Sequence, residues 1–430
     1  MRVSKTILVT SVPKLKKQLF LWAQQFDQVV YLDSNAYKEA PQKFEAVLAV
    51  KANTFVESSC KNAFSKLRAF KEQTNDWIFG FLTYDLKNDI EDLKSENDDG
   101  LNFPDLYFFQ PEKLFFIEKN TLTASYLKEA AQEIEKDLNH IQNTVINTES
   151  STSQNIKIKL RIHKDEYIQK VNSLLSHIQR GDIYEANFCQ EFYAEGTTIN
   201  PAETFLKLNE VSKAPFASFL KYNTKYLLSA SPERYLKKEG TTVISQPIKG
   251  TAKRSKDKKQ DAKLKKELTH SEKERSENIM IVDLVRNDLS RIAEKNSVQV
   301  TELCKAYTFK QVHQLISTIS CQVSSDTAAV DIVKATFPMG SMTGAPKISA
   351  MKLIEQIEKT KRGLYSGTLG YFSPDNNFDF SVIIRSILYN SQKKYVSYSV
   401  GGAITAKSDA FMEYEECLLK AKAMREVLEG

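Results

Sequence analysis

Apolar runs bounded by Asn, Asp, Gly and Pro dominate the first third of the chain. Three of them, at residues 26–35, 76–86 and 104–118, have the length and composition of β-strands. A charged stretch at 127–143 has a helical pattern, and the polar segment 146–155 has no apolar periodicity, which predicts a linker. We therefore predict an amino-terminal region at residues 1–150 and a second region at 160–430.

The second region alternates helical and extended patterns. Tyr167, Val171 and Leu174 fall on one face of a predicted helix at 164–180, which Gly181 ends. Further helices are predicted at 201–212, in two pieces across 256–294, and at 309–322, 328–336, 346–360 and 409–428. Strands are predicted at 183–194, 217–223, 226–238, 242–248, 365–373, 380–390 and 395–404. Strand runs joined by short turns, with long helices grouped outside, indicate an α+β protein built on antiparallel sheet.

Composition narrows the class of protein. The 430 residues are 41% hydrophobic and 27% charged, as in ordinary soluble globular proteins. Five scattered cysteines without a CxxC pair favour free thiols in a reducing compartment over disulfides or a zinc site. The first residues are too short an apolar run for a signal peptide, and no stretch approaches eighteen apolar residues. We expect a cytoplasmic protein without a membrane partner.

The net charge of +6 is unevenly distributed. Much of the excess lies between Lys253 and Arg275, where lysines recur without interleaved aromatics or a nucleic-acid-binding motif. This pattern favours a solvated helix face, with a basic binding strip as the alternative. We expect no nucleic-acid partner.

Glycines and one arginine indicate an anionic ligand. Seven of the fourteen glycines fall between residues 340 and 402, where they suit either tight turns or close backbone approach to an anion. Tyr365 lies between Gly363 and Gly367, and Arg385 lies in the apolar run FSVIIRSIL. An arginine in so apolar a segment needs a carboxylate, internal or from a ligand, to offset its desolvation.

Two pairs of glutamates are candidates for a cation site. Glu274 and Glu277 are three residues apart in one predicted helix, as are Glu413 and Glu416 in the last one, so each pair shares a helix face. Taken singly, such pairs are common on helix surfaces. If the four converge, their hard oxygen ligands suit Mg²⁺.

Lys249 is the candidate nucleophile. It follows an apolar strand and lies between Pro247 and Gly250, in a rigid turn. A lysine in a dry pocket can lose its proton near neutral pH and attack a substrate. Glu233, at another strand turn, is a candidate general acid and base. We assign His313, on the predicted helix 309–322, to packing.

Seven segments, in order, resemble the chorismate-binding enzymes, the family of anthranilate, aminodeoxychorismate, isochorismate and salicylate synthases. The segments are SASPER, PIKGTAKR, ENIMIVDLVRNDLSRIA, GSMTGAPKISAMKLIEQIE, RGLYSGTLGYF, VIIRS and EYEEC. The resemblance covers about residues 164–428 and, more weakly, 15–145. It implies an α+β sandwich of antiparallel sheets with helices outside, as in anthranilate synthase component I.

The resemblance also implies roles for individual residues. Glu277 and Glu416 are expected as the main Mg²⁺ ligands, and Glu274 and Glu413 as ligands directly or through water. The residues expected to bind the two carboxylates of chorismate are Gly250, Thr251, Ser341, Tyr365, Arg385, Gly401, Gly402 and Ala403.

The residue at position 249 distinguishes the members of the family. Anthranilate synthases resemble this sequence but have PIAGT, whereas aminodeoxychorismate synthases have PIKGT, as here. The expected reaction is attack of Lys249 on C2 of chorismate as the C4 hydroxyl leaves, with Glu233 as general acid and base. Ammonia then enters at C4 and expels the lysine. At the position of a lysine base in isochorismate-forming relatives this chain has Glu185, which counts against water as the nucleophile.

No GxCxG elbow occurs in these residues, so the ammonia is expected from a separate glutamine amidotransferase subunit or from solution. Three departures from the family pattern are Gln314, Ala403 and Lys407. A tryptophan pocket, by resemblance, would use Ser34, Pro215, Phe216 and Ala217. The alternatives to an aminodeoxychorismate-type enzyme are anthranilate synthase component I and a catalytically idle regulatory relative.

Overall fold

A computed structural model describes residues 1–37, 43–146 and 156–430, so the predicted linker lies almost wholly outside the described residues. The α-helices are α1 Val12–Ala23, α2 Ala63–Thr74, α3 Ile134–Asn143, α4 Lys164–Arg180, α5 Pro201–Ser212, α6 Lys258–His270, α7 Glu272–Ser290, α8 Ala329–Thr336, α9 Lys347–Ile357 and α10 Ala410–Glu429. Short 3₁₀ helices span Tyr84–Asp89, Lys128–Glu133 and Gly340–Met342.

The strands of the described residues form one connected sheet in which every strand pair is antiparallel. They are β1 Arg2–Leu8, β2 Gln28–Asp33, β3 Ala46–Ser58, β4 Ile78–Leu82, β5 Leu106–Glu118, β6 Thr121–Leu127, β7 Lys159–Leu160, β8 Glu185–Ala194, β9 Phe216–Tyr222, β10 Lys225–Ser231, β11 Arg234–Glu239, β12 Thr242–Gln246, β13 Ile248–Lys253, β14 Gln299–Thr308, β15 Val312–Gln322, β16 Gly344–Ala345, β17 Thr368–Phe372, β18 Phe378–Val382, β19 Ser386–Asn390 and β20 Tyr395–Thr405. The predicted α+β class with antiparallel sheet is confirmed.

The sheet continues from the long strand β5 in two directions. The first arm runs from β3 through β2, β9, β10, β19 and β20 to β8. The second arm runs from β4 through β17, β18, β11 and β12 to β15, which also pairs with β13 and β14. Both arms therefore begin in the first 150 residues and end in the second region. Strands of the two predicted regions pair directly, β2 with β9 and β4 with β17.

Most predicted helices of the second region have their expected positions, and α4 ends at Gly181 with φ +84. The predicted helix at 309–322 is wrong, because this segment is strand β15. Val312, Leu315, Ile316 and Ile319 have helical spacing, but β15 has neighbours on both sides and is buried along nearly its whole length. A strand covered in this way does not need the alternating pattern of a half-exposed one.

Two apolar clusters form most of the core. One lies beneath helices α1, α3, α4, α5 and α10, and the other contains many aromatic side chains of β4, β5, β17 and β18. Each cluster includes residues from both ends of the chain. No helix of the described residues is long and apolar enough to cross a membrane.

Candidate active site

A cleft of about 780 Å³ lies where the two arms of the sheet end. One wall comes from β13 and β15 of the second arm, another from β20 of the first arm, and helices α7 and α10 border it. All fourteen residues that the sequence assigned to catalysis, substrate or metal line this cleft: Glu233, Lys249, Gly250, Thr251, Glu274, Glu277, Ser341, Tyr365, Arg385, Gly401, Gly402, Ala403, Glu413 and Glu416.

Lys249 is placed by a bulge in strand β13. Ile248 lies opposite Ile316 and Thr251 opposite Gln314, so β13 has one residue more than β15 over this span. Gly250, at φ +94, supplies the left-handed conformation that the bulge requires. A methyl group at Gly250 would lie 3.1 Å from a carboxylate oxygen of Glu274, a tight contact that would push this side chain aside by a few tenths of an ångström.

The Lys249 ammonium lies among carboxylates. Its Nζ is 3.6 Å from Oε1 of Glu185, a side chain that is almost completely buried. Burial opposes the charged form, but Glu185, then Glu277 and Glu233, outweigh it and raise the pKa of Lys249 above its ordinary value. The expectation of a lysine deprotonated by a dry pocket is therefore wrong for this arrangement, and the amine needs a proton acceptor before it can attack. Burial raises the pKa of Glu185, although the charge of Lys249 acts in the opposite direction. Glu185 is therefore a stronger base than an ordinary glutamate and better able to accept the proton of Lys249.

Glu233 occupies the turn between β10 and β11 and is 4% exposed. Its backbone N–H donates to Oγ of Ser231, and its carbonyl accepts from the N–H of Val382. Burial raises the pKa of Glu233 to about 7, although a hydrogen bond with Ser341 and the charge of Lys249 act in the opposite direction. Glu233 can therefore hold or release a proton at neutral pH, as a general acid and base must.

The four glutamates face the cleft from two helices. Ser271 caps α7, where its Oγ accepts from the N–H of Glu274, and Asp409 caps α10. Burial raises the pKa of Glu277 to about 7, with Lys249 opposing and Glu274 adding to the shift. Burial also raises the pKa of Glu413. The carboxylates thus lie near enough to repel one another.

Two lysines that the sequence analysis missed partly neutralise these carboxylates. Lys273 Nζ is 4.0 Å from Glu277 and 3.9 Å from Glu413, and so spans α7 and α10. Lys420 Nζ is 2.7 Å from Glu416. Burial would raise the pKa of Glu416, but the charge of Lys420 and its hydrogen bond outweigh burial, and the pKa is lowered. Both pairs include a glutamate four residues from a lysine in one helix, a spacing that is visible in the sequence.

Within the described residues, no three His, Cys, Asp or Glu side chains come close enough together to hold a metal ion as they stand. The donor set nevertheless fits a hard cation. It offers only carboxylate oxygens, and three of the carboxyls, Glu274, Glu277 and Glu413, have raised pKa values that a nearby positive charge would relieve. Magnesium remains an expectation from the sequence.

Arg385 and β20 form the opposite part of the cleft. The sequence predicted Arg385 inside a strand, but the structure places it between β18 and β19, with φ +53. Its Nη1 donates to the carbonyl of Lys420 at 3.4 Å, and among the described residues no carboxylate forms an ion pair with it. Burial lowers the pKa of Arg385, as expected of a guanidinium without a close carboxylate. A ligand carboxylate would supply that partner.

Tyr365 and Gly401 lie on either side of Cys189. The Tyr365 hydroxyl accepts a hydrogen bond from the Cys189 thiol at 3.7 Å, and a methyl group at Gly401 would lie 2.4 Å from the same sulfur. The close approach of Cys189 therefore leaves no room for a side chain at position 401. The carbonyl oxygen of the Gln314 side chain, on the cleft wall, is buried without a hydrogen-bond partner.

The residues of the predicted tryptophan pocket are brought together elsewhere. Asp33 pairs with Ala217 between β2 and β9, so Ser34 lies near the start of β9. Ser34 Oγ donates to the carbonyl of Glu45 at 2.9 Å. Ser34, Pro215, Phe216 and Ala217 are not among the residues that line the cleft, and their role stays a prediction. His313 lies on β15, where its Nε2 is 3.1 Å from Asp261, in agreement with packing but not with a helix.

Residues 17–426 match the family of chorismate binding enzymes. The probable chloroplastic aminodeoxychorismate synthase of Oryza sativa subsp. japonica is 40% identical over 285 residues, which are 66% of this chain but only 32% of that protein. Aminodeoxychorismate synthase component 1 of Bacillus subtilis (strain 168) is 31% identical over 366 residues, 81% of this chain and 76% of that one. Among solved structures, anthranilate synthase component I from Streptococcus pneumoniae TIGR4 superimposes with a TM-score of 0.79 at 26% identity, covering 90% of this chain and 93% of its own.

Proposed function

The chain belongs to the chorismate binding enzymes, and on that premise we propose that it is an aminodeoxychorismate synthase component I, which converts chorismate and ammonia to 4-amino-4-deoxychorismate and water. The observation that carries the proposal is Lys249, held by a bulge at the wall of the cleft, 3.6 Å from Glu185 and near Glu233. The names of the relatives favour the same activity. The product would serve 4-aminobenzoate and folate biosynthesis.

Substrate binding uses the positive groups and free backbone of the cleft. Arg385, without a carboxylate partner of its own among the described residues, would pair with one carboxylate of chorismate. Gly250 and Thr251 on one wall, and the 401–403 backbone on the other, would bring N–H groups to the anion. The hydroxyls of Ser341 and Tyr365 complete the set of donors.

Glu277 and Glu416, with Glu274 and Glu413, would hold Mg²⁺ on the α7 and α10 side of the cleft. When bound, Mg²⁺ neutralises negative charge on the substrate and fixes its orientation. Lys273, whose side chain is 46% exposed, pairs with Glu277 and Glu413 and would compete with a cation for these two carboxylates.

The covalent step needs two proton transfers. Glu185 accepts the proton of Lys249, and the free amine attacks C2 of chorismate. The ring double bond shifts, and the C4 hydroxyl leaves as water after taking a proton from Glu233, which is half protonated at about pH 7. Ammonia then attacks C4, the lysine leaves C2, and Glu233 recovers a proton from the new ammonium group. Two allylic displacements replace one difficult one.

The ammonia would come from a glutamine amidotransferase subunit. Within these 430 residues there is no GxCxG motif to hydrolyse glutamine. Ammonium salts at high concentration should replace the subunit.

The test is to incubate the purified protein with chorismate, Mg²⁺ and ammonium and to identify the products by chromatography and mass. We expect 4-amino-4-deoxychorismate from the wild type and its loss in Lys249→Ala. Without ammonia, the wild-type peptide containing Lys249 should carry the mass of chorismate minus water. Lys305→Ala, an exposed lysine on β14, is the control and should behave as wild type.

Anthranilate synthase component I is the second candidate, favoured by the likeness to the Streptococcus pneumoniae structure. Anthranilate as the wild-type product, without an adduct on Lys249, would establish it in place of the first. No turnover, even with a supplied amidotransferase, would instead favour an idle relative.

A further inference from the structure

The positive charge of this protein is concentrated in one short segment. Between Lys253 and Lys266 there are eight lysines or arginines and two aspartates, a net charge of +6, and the complete chain also carries +6. The other residues are therefore neutral as a set. We call this segment the basic strip; it joins the end of β13 to most of helix α6.

Local structure does not account for these lysines. Lys258 and Lys259 lie in the first turn of α6, where the helix dipole makes a cation unfavourable. Lys259 and Lys263 are four residues apart, a spacing at which like charges repel each other. Both features oppose helix formation, and the exposed ion pair of Lys263 with Glu267 at 3.7 Å offsets little of this, so the stability of α6 does not explain the run of lysines.

The two aspartates of the basic strip are committed to structure. Asp257 caps α6 by accepting from the N–H of Gln260 at 2.7 Å. Asp261 accepts from Arg254 at 2.8 Å and lies 3.1 Å from His313. Five lysines of the basic strip are exposed and form no ion pair with any residue that the structure describes: Lys253, Lys256, Lys258, Lys259 and Lys266. Their positive charges therefore face solvent, where they can attract an anion.

The basic strip continues into the active-site cleft. Lys253 and Arg254 line it, and Lys253 lies on the same strand as Lys249, about 13 Å away at roughly 3.3 Å per residue. Six carboxylates and seven basic side chains line the cleft, and two of the seven are Lys253 and Arg254. Without them five basic side chains face six carboxyl groups, and the lining is close to neutral at pH 7 because Glu233 and Glu277 have pKa values of about 7. The cleft by itself offers little attraction to an anion arriving from solution.

We propose that the basic strip is an electrostatic capture surface for the small dicarboxylate substrate, which it concentrates at the mouth of the cleft. The proposal rests on the proposed function for the identity of that dianion, chorismate. Clustered charge of one sign beside a cleft raises the local concentration of an oppositely charged ligand. Because the strip is exposed, its effect should disappear when salt shortens the Debye length to a few ångströms.

The test compares three proteins that all carry Lys249→Ala, so that chorismate binding is measured by calorimetry without turnover. The first has no other change. The second, the strip variant, replaces Lys256, Lys258, Lys259 and Lys266 by Gln. The third, the matched control, replaces four exposed lysines outside the cleft by Gln: Lys14, Lys17, Lys128 and Lys136.

At about 0.02 M ionic strength we expect the Kd of the strip variant for chorismate to be about three- to tenfold higher than that of the parent. At about 0.5 M ionic strength the two Kd values should differ by less than about 1.5-fold. The control should match the parent throughout. Equal binding by strip variant and control at low salt would overturn the proposal, as would a loss of the same size at both salt concentrations, which indicates structural damage.

Loss of affinity for the amidotransferase subunit with unchanged chorismate binding would also overturn it and make the strip a protein-docking surface. The proposed function is judged separately, by amination in the protein with Lys249 intact. Salt-dependent chorismate binding without amination would leave the capture surface standing and remove the proposed function. Absence of chorismate binding in the parent would overturn the capture surface, and the proposed function would still be decided by amination in the protein with Lys249 intact.

Discussion

At the scale of single residues, the pKa of Glu233 links its proposed catalytic role to the stability of the fold. The carboxyl has a pKa of about 7 in the folded protein, against 4.5 ordinarily, because it is buried. Between these two values the folded protein holds a proton that the unfolded chain releases. Stability therefore falls as pH rises from about 4.5 to 7 and is level above, at a total cost of about 3 kcal/mol.

We predict that Glu233→Gln does not show this fall in stability between pH 4.5 and 7, because the amide does not titrate. Between pH 4.5 and pH 8 the stability of the variant should therefore rise relative to that of the wild type, by up to about 3 kcal/mol. The variant should also lose most of its activity, because an amide cannot transfer the proton. Urea unfolding between pH 4.5 and 8 measures the difference. Glu129→Gln, which removes an exposed carboxylate, should follow the wild-type profile. A parallel pH profile in Glu233→Gln would show that the raised pKa is not that of Glu233.

The position of Lys249 was predictable from its motif, but its protonation was not. Proline, glycine and an apolar strand predict a rigid turn, and the structure has one in the form of a bulge. The charge state depends on Glu185, which is 64 positions away in the sequence and adjacent only after β8 and β13 meet at the cleft. Arg385 is similar, because the break at φ +53 between β18 and β19 interrupts what is a continuous apolar run in the sequence.

At the scale of elements, α7 and α10 each present two glutamates to the cleft. A bound Mg²⁺ would link the two helices through these glutamates. We predict that Mg²⁺ raises the thermal unfolding temperature of the wild type, since a ligand at 100 times its Kd adds about 2.7 kcal/mol to the stability of the folded state. The double variant Glu277→Gln and Glu416→Gln should respond much less. Calorimetric titration with MgCl₂ provides a second measurement.

Glu429→Gln is the matched control for that experiment, because Glu429 is on α10 but pairs with Arg425 outside the cleft. It should keep the full response to Mg²⁺. An equal response in the double variant would place the cation elsewhere, and no response in any of the proteins would contradict the carboxylate site itself.

The elements that the sequence predicted correctly are those with local signals. Helix α4 has an apolar face and a terminal glycine, and α5 has Asn200 as its cap, with Oδ1 accepting from two backbone N–H groups. Strand β15 was predicted as a helix because its apolar residues, buried on both faces of the sheet, happen to recur every three or four positions. What decides its conformation is pairing with β12, β13 and β14, none of which is visible in its own sequence.

At the scale of the molecule, the sheet joins two regions that look separate in the sequence. Residues 1–150 supply β2 and β4, which pair with β9 and β17 from the second region, and both apolar clusters draw on both regions. If either region separated or unfolded, it would expose strand edges and apolar surface of the other region. Such long-range pairing is set by complementary surfaces and not by local pattern, so the boundary in the sequence does not by itself predict independent folding.

We therefore predict that both regions unfold in one cooperative transition. The chain offers separate probes, because both tryptophans, Trp22 and Trp77, lie in the first region. Four buried thiols lie in the second region: Cys189, Cys304, Cys321 and Cys417. In urea, tryptophan fluorescence, thiol labelling and far-ultraviolet circular dichroism should give coincident midpoints. A cyanate-free urea series with the variant Cys60→Ser removes the half-buried thiol of the first region and keeps the labelling specific. Fluorescence that changes at lower urea than thiol exposure would show that residues 1–150 detach first, and that their strands contribute little to holding the cleft between the two arms.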